Sequence, residues 1–178
     1  MKNLIRRTVA GAPLTAKVVT LDRPAGRRFQ RSILGEEGTC FAETVDQFRA
    51  AVATPVDLLI VSTHGAWSGA RVGFGRYNDD WAEIASLSGQ CSTLLIVACH
   101  QAPDRAAIWK DRFAASQVVL ATGEVPGQTS DRAIRHVTER PEAWRDGHAV
   151  LEALLNTTRP APAMTSAGWY VYPDTGAA

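Results

Sequence analysis

Apolar and polar positions along the chain fall into short continuous apolar runs that alternate with stretches of helical period. Ala16 to Leu21 (AKVVTL) predicts a strand, closed by Asp22, Arg23 and Pro24. Ala25 to Gly38 shows no period, so no element is assigned there. A helix is expected from Thr44. Thr44 and Gln47 have capping-box spacing, Val45, Phe48 and Val52 recur at i, i+3 and i+7, and Pro55 halts the run. Asp57 to Thr63 (DLLIVST) is too short for a buried helix and predicts a strand covered on both faces, ending at His64 and Gly65. Ala66 to Tyr77, with Gly69, Gly73 and Gly75, predicts a loop or short hairpin outside the core. A short helix is expected next, from the capping-box spacing of Asp80 and Glu83.

Cys91 to Ala98 (CSTLLIVA) repeats the buried-strand signal and stops at Cys99 and His100. A helix over about Asp104 to Ala114 should carry Trp109 and Phe113 on one face, followed by a strand at Gln117 to Ala121 and a loop over Thr122 to Gln128. Asp131 to Asn156 predicts helix broken near Pro141, with Trp144, His148, Leu151 and Leu155 along one stripe. After the Pro-rich Arg159 to Pro162, Gly168 to Tyr172 predicts a last strand. Strands joined by crossover helices make this an α/β chain with a mostly parallel sheet flanked by helices. Neither a repeat nor a second domain is visible, so residues 1–178 are expected to form one domain.

Composition changes this picture little but excludes several functions. Nineteen basic against eighteen acidic residues leave no basic stripe, so neither nucleic acid nor an anionic membrane is an expected partner. No apolar run approaches the roughly 20 residues that cross a bilayer. The basic Met1 to Arg7 is followed by Gly11, Pro13 and Thr15 rather than an apolar core, which speaks against a secretory leader. Cys40, Cys91 and Cys99 form no C-x-x-C pair and cannot all be bridged, so a reducing, cytoplasmic setting is expected.

The chemistry is concentrated at two strand ends. In an open parallel sheet, side chains at the carboxyl ends of neighbouring strands converge on a crevice outside the sheet. His64 and Cys99 both occupy such ends. Were the strands neighbours, about 4.8 Å between axes would set imidazole and thiol across a substrate-sized gap. A thiol is a weak nucleophile unless an imidazole or helix N-terminus favours its anion, and the oxyanion formed on attack needs N–H donors. The backbone of Gly65 and Cys99 supplies the candidate donors, Gly65 because it lacks a Cβ and admits close approach.

Leu-Leu-Ile-Val-Ser-Thr-His64-Gly65 together with Leu-Leu-Ile-Val-Ala-Cys99-His100 resembles the caspase-like cysteine peptidases, including metacaspases and bacterial CHAT proteases. The resemblance covers about Val56 to Arg135. It implies a caspase-like three-layer sandwich, a His64–Cys99 dyad, and an oxyanion hole at the backbone of Gly65 and Cys99. The strand Val118 to Thr122, with Glu124, Gln128 and Asp131 after it, looks like the CHAT strand and loop bordering the substrate cleft. The chain departs from the family in three places: it lacks the Q-A-C-x-G signature, carries Val97 where metacaspases have an acid, and spaces its His and Cys closely. The close spacing fits a compact CHAT-like domain. Loss of the acid leaves the residue preferred at the cleavage position (P1) open.

Other residues receive plainer readings. Cys40 and Cys91 are expected as inert packing, and His100 as a helix-capping group. His136 and His148 fall on helices, and no Cys/His spacing matches zinc, so no metal or cofactor is expected. Asp79 and Asp80 are read as cap and dipole partners rather than a calcium site. Glu124 is preferred over Asp104 and Asp131 as an acidic substrate-pocket residue, and Trp67, just past His64, as a cleft wall. The function expected is a cysteine endopeptidase acting on a protein or peptide substrate, with a regulatory protein partner. Its rival is a catalytically inactive module that binds peptides or partner proteins through the same cleft. A nucleotide-binding flavodoxin-like domain is disfavoured, because Asp22-Arg23-Pro24 stands where a Gly-rich phosphate loop belongs.

Overall fold

The computed structural model describes residues 4–21, 39–66, 68–74, 80–125, 127–156 and 167–174. The chain opens with a hairpin of β1 (Ile5–Val9) and β2 (Ala12–Thr20), turned by Ala10 and Gly11 at φ of 48° and 81°. Two consecutive left-handed residues are what a two-residue hairpin turn of matching twist needs. The strand expected at Ala16 therefore begins four residues earlier. Pro13 is tolerated because β2 meets β1 alone there, and its pairing with the next sheet strand starts only at Ala16.

Five strands run parallel: β2, β3 (Thr39–Phe41), β4 (Val56–Ser62), β8 (Cys91–Val97) and β9 (Gln117–Ala121). With β1 and β10 (Trp169–Tyr172), which run antiparallel at the two ends, they form a sheet ordered β1-β2-β4-β8-β9-β10, β3 pairing with β2. The pleat sends Leu59, Val61, Leu94 and Ile96 to one face and Leu58, Ile60, Leu95 and Val97 to the other. The first face is covered by α1 (Val45–Ala51) and α2 (Ala106–Arg112), through Phe48, Trp109 and the adjoining Phe113. The second is covered by α3 (Gly127–Thr138) and α4 (Gly147–Leu155), through Ile134, Val137, Val150 and Leu154. The result is a mostly parallel sheet between two helical layers.

The Thr44 hydroxyl caps α1 by accepting from the Gln47 N–H at 3.2 Å, while the side-chain amide oxygen Oε1 of Gln47 accepts from the N–H of Glu43 rather than of Thr44. The helix expected at Asp104 begins as a 3-10 turn over Pro103–Arg105 before becoming α2.

Three expectations are corrected. No α-helix follows Asp80: β7 (Asp80–Glu83) pairs with β6 (Arg71–Phe74), an Arg71–Glu83 ion pair reinforces the pairing, and only a 3-10 turn, Ile84–Ser86, follows. Cross-strand pairing overrides the capping-box spacing there. The hairpin also does not lie outside the core, since Val72 and Phe74 are buried and the Phe74 ring meets Phe48 edge-on at 6.4 Å. In α4 the buried stripe is Gly147, Val150, Ala153 and Leu154, while His148, Leu151 and Leu155 are only half-buried. Trp144 precedes the helix, its indole donating to the Val137 carbonyl at 2.9 Å, so the stripe is set by α4 alone.

Candidate functional site

The strands carrying the two candidate residues are neighbours. β4 and β8 pair in parallel register from Val56↔Cys91 to Ser62↔Val97, and the Thr63 N–H extends the ladder by donating to the Val97 carbonyl at 3.1 Å. His64 and Cys99 each stand two residues past the last matched pair, at equivalent positions on the carboxyl edge. Past β4 the chain leaves the main sheet: β5 (His64–Gly65) pairs antiparallel with β6, opening a separate sheet ordered β5-β6-β7, with His64 opposite Gly73. The Thr63 hydroxyl secures that departure by donating to the Gly73 carbonyl at 2.6 Å. His64 is exposed at this junction and Cys99 is half-buried.

The Cys99 thiol meets the loop after β9. The Val125 N–H donates to Sγ at 3.3 Å, and Sγ donates to the Val125 carbonyl at 3.8 Å. The side chain of Val125 packs on the same apolar cluster as Val97, so loop and thiol share one face of the sheet. Four backbone hydrogen bonds hold the loop. The N–H groups of His100 and Gln101 donate to Gly123 and Ala121 at 3.0 and 2.9 Å, while those of Thr122 and Gly123 donate to Gly168 and Ala167 at 2.9 and 2.7 Å.

Gly65 lies against the Cys99 backbone. A Cβ at position 65 would stand 1.7 Å from the Cys99 carbonyl oxygen and 2.7 Å from the Gln101 side-chain nitrogen, far inside contact distance. The two segments nominated as oxyanion donors thus approach as closely as main chain allows, and only glycine fits.

Glu124 is exposed, one residue before the thiol's partner Val125. Trp67 lies outside the described residues, as does Asp79. Beyond β5, Ala66, Ser68, Ala70, Arg71, Trp81 and Glu83 line a surface cavity of about 530 Å³ that includes neither His64 nor Cys99. Asp131 is buried on α3, and Asp104 is exposed beside Arg105. His148 pairs with Asp174 at 3.1 Å.

All three cysteines are free. Cys91 is buried in the first apolar layer, and burial pushes its thiol up to about 12, the Leu59 backbone hydrogen bond acting weakly the other way. It is a packing group. Cys40 stands half-buried on β3 against the same layer. Among the described residues no three His, Cys, Asp or Glu side chains converge as metal ligands, and no helix is long and apolar enough to cross a membrane.

Sequence reasoning missed two contributors. Val125 carried a faint signal, an apolar residue in a polar loop after a central strand. Gln101 carried none: it is buried, and its role depends on a fold-back to Cys99 that spacing does not reveal. No protein-family model matches the chain, and no curated protein matches it.

Proposed function

We propose that this chain is a caspase-like cysteine endopeptidase in which Cys99 is the nucleophile and His64 the general acid and base. The observation that carries the reading is the register of β4 and β8, which sets His64 and Cys99 at equivalent ends of adjacent central strands with Gly65 against the Cys99 backbone. Such a crevice is where open parallel sheets bind ligands. In the proposed reaction the Cys99 thiolate attacks the scissile carbonyl, forming an S–C bond and a tetrahedral oxyanion held by the N–H groups of Gly65 and Cys99. As the C–N bond breaks, protonated His64 gives its proton to the leaving amine. His64 then takes a proton from the water that attacks the thioester, and the S–C bond breaks to release the acid product and return the Cys99 thiolate beside protonated His64. Glu124, at the rim beside Val125, is the proposed acidic substrate contact. The free thiols fit a reducing, cytoplasmic setting.

One observation favours a second reading, a non-catalytic module that binds peptides in the same cleft. The Cys99 thiol already has both a donor and an acceptor on Val125, as a resting thiol would. A peptide-library cleavage assay tests the first reading, run on wild type, Cys99→Ala and His64→Ala, with and without calcium. Cleavage confined to wild type supports the peptidase. The binding module instead predicts no cleavage by any of the three, and slow iodoacetamide labelling of Cys99 at neutral pH.

A further inference from the structure

The residue after the nucleophile position, His100, adopts a left-handed backbone with φ of 53°, an uncommon conformation for a non-glycine residue. The turn it makes brings the side chain of Gln101 back over the chain, where its amide nitrogen donates to the Cys99 carbonyl at 3.2 Å. Gln101 is 1% exposed, and its amide oxygen accepts from the Trp109 indole N–H at 3.3 Å. That bond fixes which end of the amide faces Cys99. Trp109 is itself fully buried and tilted against Phe113 at 5.6 Å between rings. The peptide group following Cys99 is therefore held at both ends: its carbonyl by Gln101, with Gly65 packed against it, and its N–H by the Gly123 carbonyl at 3.0 Å.

We infer that Gln101 is a positioning residue, which locks the Cys99–His100 peptide so that the thiol and N–H of Cys99 are aimed at one substrate carbonyl. The inference rests on the peptidase reading for its catalytic consequence. Its structural half, the lock itself, is readable without any activity. Rotation of this peptide is the motion that re-aims the substituents of the Cys99 α-carbon, and Gln101 reaches the reacting groups only through the main chain of Cys99 and Gly65. Removing the lock should therefore change turnover rather than substrate affinity.

The test uses Gln101→Met, which conserves volume and removes both amide contacts, beside Trp109→Phe, which removes the orienting N–H together with part of a fully buried ring. With the best-cleaved library peptide, Gln101→Met is expected to lower kcat by roughly 100-fold, the scale of a misplaced reacting group, with KM within about threefold of wild type. Trp109→Phe should lower kcat less, and the double variant should be no worse than Gln101→Met, because both act through one amide. Hydrogen exchange supplies the second readout: the His100 amide should exchange about tenfold faster in Gln101→Met, while amides in β4 stay unchanged. Faster exchange together with the kcat loss supports the proposal. Unchanged exchange, or wild-type kcat despite faster exchange, overturns it. If wild type cleaves nothing but His100 exchange still rises, the lock stands and the peptidase reading is what fails. Should Gln101→Met not fold, Trp109→Phe decides by the same two readouts.

Discussion

Gly65 is the residue on which the site is most sensitive to a single atom. A methyl group there would meet the Cys99 carbonyl oxygen at 1.7 Å, and that oxygen belongs to a peptide held at both ends, so it cannot give way cheaply. Gly65→Ala is expected to cost about 1–3 kcal/mol of stability by overpacking. It should also lower kcat by roughly 100-fold through displacement of main chain. Thermal melts and steady-state kinetics check the two effects separately. Cys91 gives an opposite kind of prediction. Its thiol is raised from an ordinary 9.0 to about 12 by burial, so between those values the unfolded chain releases a proton that the native chain keeps. Stability attributable to this group is fully present below pH 9 and declines as pH rises toward 12. Urea titrations at pH 8 and 10.5 should show that decline in wild type and a smaller one in Cys91→Ala. Iodoacetamide at pH 8, followed by peptide mapping, should leave Cys91 unmodified in the folded protein.

At the scale of elements, legibility followed burial. The continuous apolar runs of β4, β8 and β9 could be strands buried on both faces and little else at their length, and each lies where its run predicts. Short segments whose structure comes from partners were misread. Asp80–Glu83 had the spacing of a helix start, yet pairing with Arg71–Phe74 makes it a strand. β1 and the first residues of β2 have weak patterns individually, and only the Ala10–Gly11 turn makes them a hairpin. The boundary of α4 was lost because Trp144 looked like part of its stripe, whereas Asp146 starts the helix by accepting from the N–H groups of His148 and Ala149 at 2.8 and 3.0 Å. Asp146→Ala should therefore destabilise the protein by about 1 kcal/mol, the usual worth of such a cap. Chemical denaturation checks this, with an unchanged slope against denaturant distinguishing a lost cap from a changed fold.

At the scale of the molecule, the sheet order converts two separated sequence motifs into one place. His64 and Cys99 could be read from the sequence as strand-end residues because the apolar runs before them stop abruptly. Their adjacency could not, since it depends on β4 and β8 being neighbours in a sheet that β2 and β9 extend on either side. The fold-back of Gln101 onto Cys99 left no trace in the sequence, and the contact of Val125 with the thiol, 26 residues away, left only a faint one. The helical layers contribute differently to the site: α2 presents Trp109 to Gln101, whereas the layer of α3 and α4 shares its apolar cluster with Val125. On the proposed reading this junction makes Cys99 a nucleophile toward peptide bonds. The decisive measurement is the turnover of the best-cleaved library peptide in Cys99→Ala relative to wild type, with equal folding of the two verified by circular dichroism. A loss on the order of 1,000-fold or more is predicted, as for removal of a covalent nucleophile. Turnover in Cys99→Ala within tenfold of wild type would show that Cys99 is not the nucleophile.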